Sequence, residues 1–194
     1  MTAPGTGNPP LRQQILVCGA GGQGVLFLTR LLADAAILLG ASVLTSEVHG
    51  MAQRGGVVVS HLKVGGFESP LIRAGQADGL LALKKEDLPL HLRFLKSSGW
   101  AVVNARSAPS AQKNFDLRSI DADGMASLRG SPRAANLILL GFALSAPDVA
   151  EKAGTLFCSA DDVRAALRHR LAGKASLLAE SLRALDLGKR CKKR

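Results

Sequence analysis

Ile15-Leu16-Val17-Cys18-Gly19-Ala20-Gly21-Gly22-Gln23-Gly24 stands near the start of this 194-residue chain, and its reading decides the fold. Four apolar residues followed at once by glycines read as a short buried strand that ends in a turn. Gly19, Gly21 and Gly24 meet the G-x-G-x-x-G spacing, in which a tight turn delivers the chain into a helix. The helix is legible downstream. From Val25, the residues Leu28, Leu31, Leu32, Ala35, Leu38 and Leu39 recur at helical spacing until Gly40, which suits a helix C-terminus. Strand, glycine turn and helix together open an α/β domain.

Working outward, residues 41–46 carry a second strand on Val43 and Leu44, and residues 57–64 a third, β-branched at first and then alternating. Gly65-Gly66 reads as a turn, with a short hairpin-partner strand running to about Ile72, so the sheet is expected to be mixed. Residues 79–83 and 100–104 read as two further buried strands, separated by a segment that places Leu88, Leu92 and Leu95 on one helical face. Residues 134–144 form an apolar stretch of helix length. Ser159 with Asp162 makes a capping box for a helix over residues 160–171, with Gly173 as its stop. A last amphipathic segment, on Leu177, Leu178, Leu182, Leu185 and Leu187, is expected to end at Gly188. The expectation is a single three-layer α/β/α domain over residues 13–188, with a mixed, mainly parallel sheet and a Rossmann-like glycine-rich first βα turn. A flexible N-terminus, residues 1–12, precedes it and a basic tail, residues 189–194, follows.

Composition narrows the function classes. Of the formal net charge of +10, half comes from Lys189, Arg190, Lys192, Lys193 and Arg194, a terminal run that reads as solvated rather than as a nucleic-acid or membrane surface. With no Tyr, one Trp and six Phe, stacking platforms for single-stranded nucleic acid are scarce. The first ten residues lack the apolar core of a signal peptide, and no uncharged run reaches the ~18 residues of a membrane span. A cytoplasmic protein without nucleic-acid or membrane partners is expected. Cys18, Cys158 and Cys191 are too scattered for a C-x-x-C pair, so no metal site is expected in this chain, and a reducing compartment is the simplest fit.

The glycine turn alone allows a dinucleotide site, since glycines let the backbone approach a pyrophosphate and a helix N-terminus supplies amide donors. Such a site also requires an acidic residue at the end of the second strand, and Glu47 lies in that window. A stand-alone NAD-dependent enzyme is therefore one alternative, and a non-enzymatic basic binding module another. The loop that follows argues for neither. Residues 45–56 gather Ser46, Glu47, His49, Gly50, Gln53, Arg54, Gly55 and Gly56 between two strands. Arg54 before two glycines suits an anion-binding concavity, because its fork matches carboxylate or phosphate and glycine amides stay accessible. Glu47 and His49 flank Val48 and are expected to share one face if strand geometry continues into the loop.

Gly19-Ala20-Gly21-Gly22-Gln23-Gly24 and Ser46-Glu47-Val48-His49-Gly50-Met51-Ala52-Gln53-Arg54-Gly55-Gly56 resemble the two signature stretches of the gamma subunit or domain of 2-oxoacid:ferredoxin oxidoreductases, the pyruvate/ketoisovalerate oxidoreductase catalytic domain. The resemblance continues through residues 57–61, 69–72, 77–78 and 102–104, Asn136 and Leu140-Gly141, and covers residues 15–187. The central loop is most similar to the small (beta) subunit of the indolepyruvate type.

The resemblance implies a cytoplasmic heteromeric enzyme that converts an aryl-2-oxoacid to acyl-CoA, CO2 and reduced ferredoxin, with this chain inactive alone. It implies a larger partner subunit carrying thiamine diphosphate, magnesium and 4Fe-4S clusters, with ferredoxin reached through that subunit and coenzyme A as co-substrate. No cofactor is expected in this chain: Asp78-Gly79 and Asp123-Gly124 lack the downstream Asn-bearing segment of a thiamine-diphosphate motif. Glu47 and His49 are the catalytic candidates. Gly19, Gly21, Gly22, Gln23, Gly24, Ser46, Gly50, Gln53, Arg54, Gly55 and Gly56 are candidates for contact with coenzyme A or the partner. Apolar surface meant for that partner is expected to drive self-association of the isolated chain.

Overall fold

The structure is a computed structural model that describes residues 11–50, 56–107, 115–145 and 155–191. Six strands form one sheet: β1 (Gln13–Ala20), β2 (Val43–His49), β3 (Val57–Val64), β4 (Ala77–Ala82), β5 (Leu95–Asn104) and β6 (Asp116–Ile120). Their spatial order is β2-β3-β1-β4-β5-β6. β1, β4, β5 and β6 run parallel to one another, while β3 lies antiparallel between β1 and β2. The central strand β1 is an apolar run because both of its faces are covered: Ile15 and Val17 point to one core, Leu16 and Cys18 to the other.

The two faces are covered unequally. On one lie α1 (Val25–Leu38), α3 (Ala122–Leu128), α4 (Ala135–Ala143), α5 (Ala160–Arg170) and α6 (Ala175–Lys189). α4 is buried along nearly all its length, since it packs between the sheet and α6. The other face is covered by the single turn α2 (Leu88–His91) with a 3-10 turn on each side, and by Ile72.

Three expectations are corrected. No strand follows Gly65-Gly66; the antiparallel partners of β3 are β2 and β1, so the sheet is mixed for a different reason than the hairpin proposed. The backbone of residues 67–72 turns inward instead, where the Ile72 amide donates to His61 Nδ1 at 3.1 Å. Leu88 and Leu92 are buried on one side of a helical segment, but Pro89 sits in its first turn and Leu95 already belongs to β5. Gly188 does not stop the last helix, which continues to Lys189: a Cβ there would overlap the Ile138 carbonyl, and one on Gly141 the Leu185 carbonyl. These glycines are the close-approach points of α4 and α6. Leu11 and Cys191, just outside the expected span of residues 13–188, also pack against the larger core. β6 and α3 were not anticipated.

The capping box is present as read. Ser159 Oγ accepts from the Asp162 amide at 3.2 Å, and the Asp162 carboxylate accepts from the Ser159 amide at 2.7 Å. α5 is tied to its neighbours by Arg164 to Asp186 of α6 at 2.5 Å and Arg170 to Asp34 of α1 at 2.6 Å.

Candidate functional site

The two glycine-rich stretches meet at one end of the sheet. The Gly21 amide donates to the Gly56 carbonyl at 3.0 Å, and the Gly50 amide to the Val57 carbonyl at 2.8 Å, so the base of the β2–β3 hairpin leans on the β1–α1 turn. Residues 51–55, which include Gln53, Arg54 and Gly55, lie outside the described residues. Gly22 and Gly24 have φ of 90° and 87°, the left-handed region that favours glycine. A Cβ on Gly24 would also collide with the Asn136 side chain, whereas nothing lies within 4 Å of one on Gly22. The Gly22 backbone is therefore open to a ligand, while Gly24 is a packing point beneath Asn136.

Gln23 holds the turn together. Its Oε1 accepts from the Ala20 amide at 2.7 Å and its Nε2 donates to the Leu83 carbonyl at 3.3 Å, bridging the ends of β1 and β4. Gly19 leaves room for that arrangement, since a Cβ there would lie 2.8 Å from Leu83 Cβ and 2.9 Å from Gln23 Oε1.

Strand geometry does continue through His49, so Glu47 and His49 share a face, with His49 Nε2 3.7 Å from Glu47 Oε2. Arg30 of α1 approaches the other Glu47 oxygen at 3.9 Å. His49 is more than half exposed, so this cluster faces outward. Ser46, opposite His61 in the register, points to the other face and is separated from the pair by the sheet itself.

Beside the turn, a cleft of about 820 Å³ opens at the carboxyl ends of β4, β5 and β6. This is where open α/β sheets bind ligands. It is walled by Gln23, Lys84, Lys85, Arg106, Asp121 and Asp123. Asn104 forms its floor, its Nδ2 donating to the Leu83 carbonyl at 3.2 Å and its Oδ1 accepting from the Ala122 amide at 2.9 Å. Arg106 Nε reaches Asp121 at 3.2 Å, and Asp121 also caps α3 by accepting from the Gly124 amide at 2.9 Å. Of these side chains, the sequence singled out Gln23 as a candidate and Asn104 within the resembling stretch 102–104, but not Lys84, Lys85, Arg106 or Asp121. The motifs stop at Gly24, and the pairing that brings Asp121 beside Arg106 requires β6, a short polar strand with Arg118 at its centre.

A dinucleotide site is not favoured by this topology. Its acidic residue must end the strand beside β1, but here β3 intervenes, which puts Glu47 roughly 10 Å away, at two inter-strand spacings. Nor do the cysteines suit a cluster. Cys18 and Cys158 are buried, and burial pushes the Cys18 thiol well up and that of Cys158 up to about 12, so both stay protonated. Among the described residues no three His, Cys, Asp or Glu side chains are grouped for a metal ion, and no helix is long and apolar enough to cross a membrane.

Fold and site together define an α/β unit with a six-stranded mixed sheet, a ligand-sized cleft and an outward-facing polar edge. The chain belongs to the pyruvate ferredoxin/flavodoxin oxidoreductase family, whose sequence model matches residues 14–191. It is 28% identical to the indolepyruvate oxidoreductase subunit IorB of Pyrococcus horikoshii over 90% of this chain and 93% of the relative. It is 41% identical to that of Archaeoglobus fulgidus over 50% of this chain and 48% of the relative. The fold is shared with the gamma subunit of a keto/oxoacid ferredoxin oxidoreductase from Geobacter sulfurreducens, at a TM-score of 0.71 and 24% identity, over 92% of this chain and 96% of that one. It also matches a 2-oxoglutarate:ferredoxin oxidoreductase from Magnetococcus marinus, solved with 2-oxoglutarate, coenzyme A and succinyl-CoA bound, at a TM-score of 0.74 and 19% identity. There it covers 93% of this chain but 31% of that one. The same unit thus occurs both as a separate chain and as part of a longer one.

Proposed function

We propose that this chain is the cofactor-free small subunit of a cytoplasmic 2-oxoacid:ferredoxin oxidoreductase of the indolepyruvate or aryl-2-oxoacid type. It works with a larger subunit that carries thiamine diphosphate, magnesium and 4Fe-4S clusters and passes electrons to ferredoxin. The observation that carries this reading is the joining of the glycine turn to the hairpin base through Gly21 and Gly56, which turns two separate sequence signatures into one surface. The named relatives support the oxoacid assignment, and the occurrence of this unit inside longer chains supports a fixed docking onto a larger subunit.

Thiamine diphosphate, when bound by the partner, supplies the carbon–carbon bond cleavage. This chain's own contribution is to bind and position. The open Gly22 backbone and the cations Lys84, Lys85 and Arg106 suit the diphosphate of coenzyme A, and Arg54, outside the described residues, is a further candidate for that contact. Glu47 orients His49 at the edge, where a fixed imidazole suits a hydrogen bond across the subunit boundary.

The test is reconstitution. The purified chain alone is expected to be colourless and inactive with indolepyruvate, and addition of the large subunit is expected to restore turnover. Arg54→Ala is expected to raise the coenzyme A KM. Iron–sulfur in stoichiometric amount in the isolated chain, or oxoacid oxidation without a partner, would refute the reading.

A further inference from the structure

A second cleft, of about 660 Å³, lies at the end of the sheet away from the glycine turn, on the face that α2 covers. Three cations line it: Arg12 at the start of β1, Lys63 near the end of β3, and Arg73 on the segment between β3 and β4. Lys63 is only 7% exposed. Its aliphatic stem is covered, while its ammonium opens into the cleft. None of the ion pairs among the described residues involves Lys63, Arg12 or Arg73. Asp78, beyond the lining, is engaged elsewhere, accepting from the Gln14 amide at 2.7 Å and from Lys96 at 2.5 Å. Glu68 is the one carboxylate in the lining, and it is exposed.

The cations are also held in place. Arg12 Cζ lies 4.4 Å and Lys63 Nζ 5.0 Å from the centre of the Phe67 ring. Burial first, and then the charges of Arg73 and Arg12, hold the Lys63 ammonium below its usual proton affinity, as expected of a cation awaiting a counter-charge. Phe67 already faces two cations, so the cleft offers no free ring on which a base would stack.

We propose that this cleft binds the phosphoryl group of a small anionic ligand, with Lys63 as the point charge at its floor and the guanidinium forks of Arg12 and Arg73 closing on its oxygens. Three cations against one carboxylate leave two positive charges, which match a phosphoryl dianion. The site is separate from the glycine turn and does not depend on the oxidoreductase reading.

The experiment titrates the full chain with inorganic pyrophosphate while following backbone amide resonances and the thermal midpoint. The amides of residues 66–76 are expected to shift saturably, and the midpoint to rise as ligand binds the folded state. Arg73→Ala, at an exposed position where the fold is not at risk, is expected to weaken binding roughly tenfold. Lys63→Met, which keeps the covered stem, is expected to abolish it while leaving the midpoint without ligand little changed. Unchanged affinity in both variants, shifts confined to residues 19–24, or succinate binding as tightly as pyrophosphate would each overturn the proposal.

Discussion

At the scale of single residues, the same amino acid does different work at neighbouring positions. Gly22 leaves a bare stretch of backbone beside the cleft, whereas Gly24, two residues on, is required by a left-handed φ and by the Asn136 side chain above it. Gln23, a candidate for ligand contact by its place in the motif, has both ends of its amide committed to the Ala20 amide and the Leu83 carbonyl, and so shapes the site. Glu47 and His49 are the residues whose pairing was legible in advance, because alternation along a strand places i and i+2 on one face. His49→Ala separates two roles. Loss of a hydrogen bond across the boundary is expected to weaken association with the large subunit by about tenfold, at an unchanged kcat in the saturated complex. Unchanged association with a lowered kcat would assign proton transfer instead, and wild-type values of both would remove His49 from the site.

Among the elements, α4 and α6 show propensity and packing in opposition. Replacing a glycine inside a helix by alanine ordinarily stabilises by about 1 kcal/mol. At Gly188 the new methyl would overlap the Ile138 carbonyl, a backbone group that cannot swing away. Overpacking of this kind costs about 1–3 kcal/mol, so the clash wins. Gly188→Ala is expected to destabilise the chain by up to about 2 kcal/mol in chemical denaturation, the opposite sign to an exposed helical glycine. This also explains why the end of the last helix is misread from sequence: a lone glycine near the end of an amphipathic pattern reads as a stop, and only the facing helix shows it to be a contact.

Across the whole molecule, the thinly covered face of the sheet stores an acid sensitivity. His61 and His91 are both buried there near Phe94, and neither His91 nitrogen has a hydrogen-bond partner among the described residues. Burial holds both below the usual histidine value of 6.5, helped by Lys63 and His91 for His61, while Asp87 opposes and Arg93 reinforces the effect on His91. Both histidines are therefore neutral in the folded chain at neutral pH. As pH falls below 6.5 the unfolded chain takes up protons that the folded chain does not, so stability declines with falling pH down to the lowered folded values. Each histidine contributes a slope of up to about 1.4 kcal/mol per pH unit in that window. Denaturation between about pH 7 and about pH 5 is expected to show this decline, and His91→Leu to remove about half of it. An unaltered slope in that variant would place the sensitivity elsewhere.

The sequence by itself determined the strand–turn–helix opening, the helices on residues 25–38 and 160–170, the capping box, and the strand geometry that pairs Glu47 with His49. All of these rest on interactions between residues a few positions apart. Only the tertiary structure decided that β3 separates β2 from β1, that β6 and α3 complete a cleft beside the glycine turn, and that Lys63 is buried between two arginines. Those outcomes depend on which distant segments pair, and periodicity carries no information about partners far along the chain. A lysine on an alternating strand reads as solvated wherever it stands; the fold of residues 66–76 over its end is what covers the Lys63 stem and sets its charge in one cleft with Arg12 and Arg73.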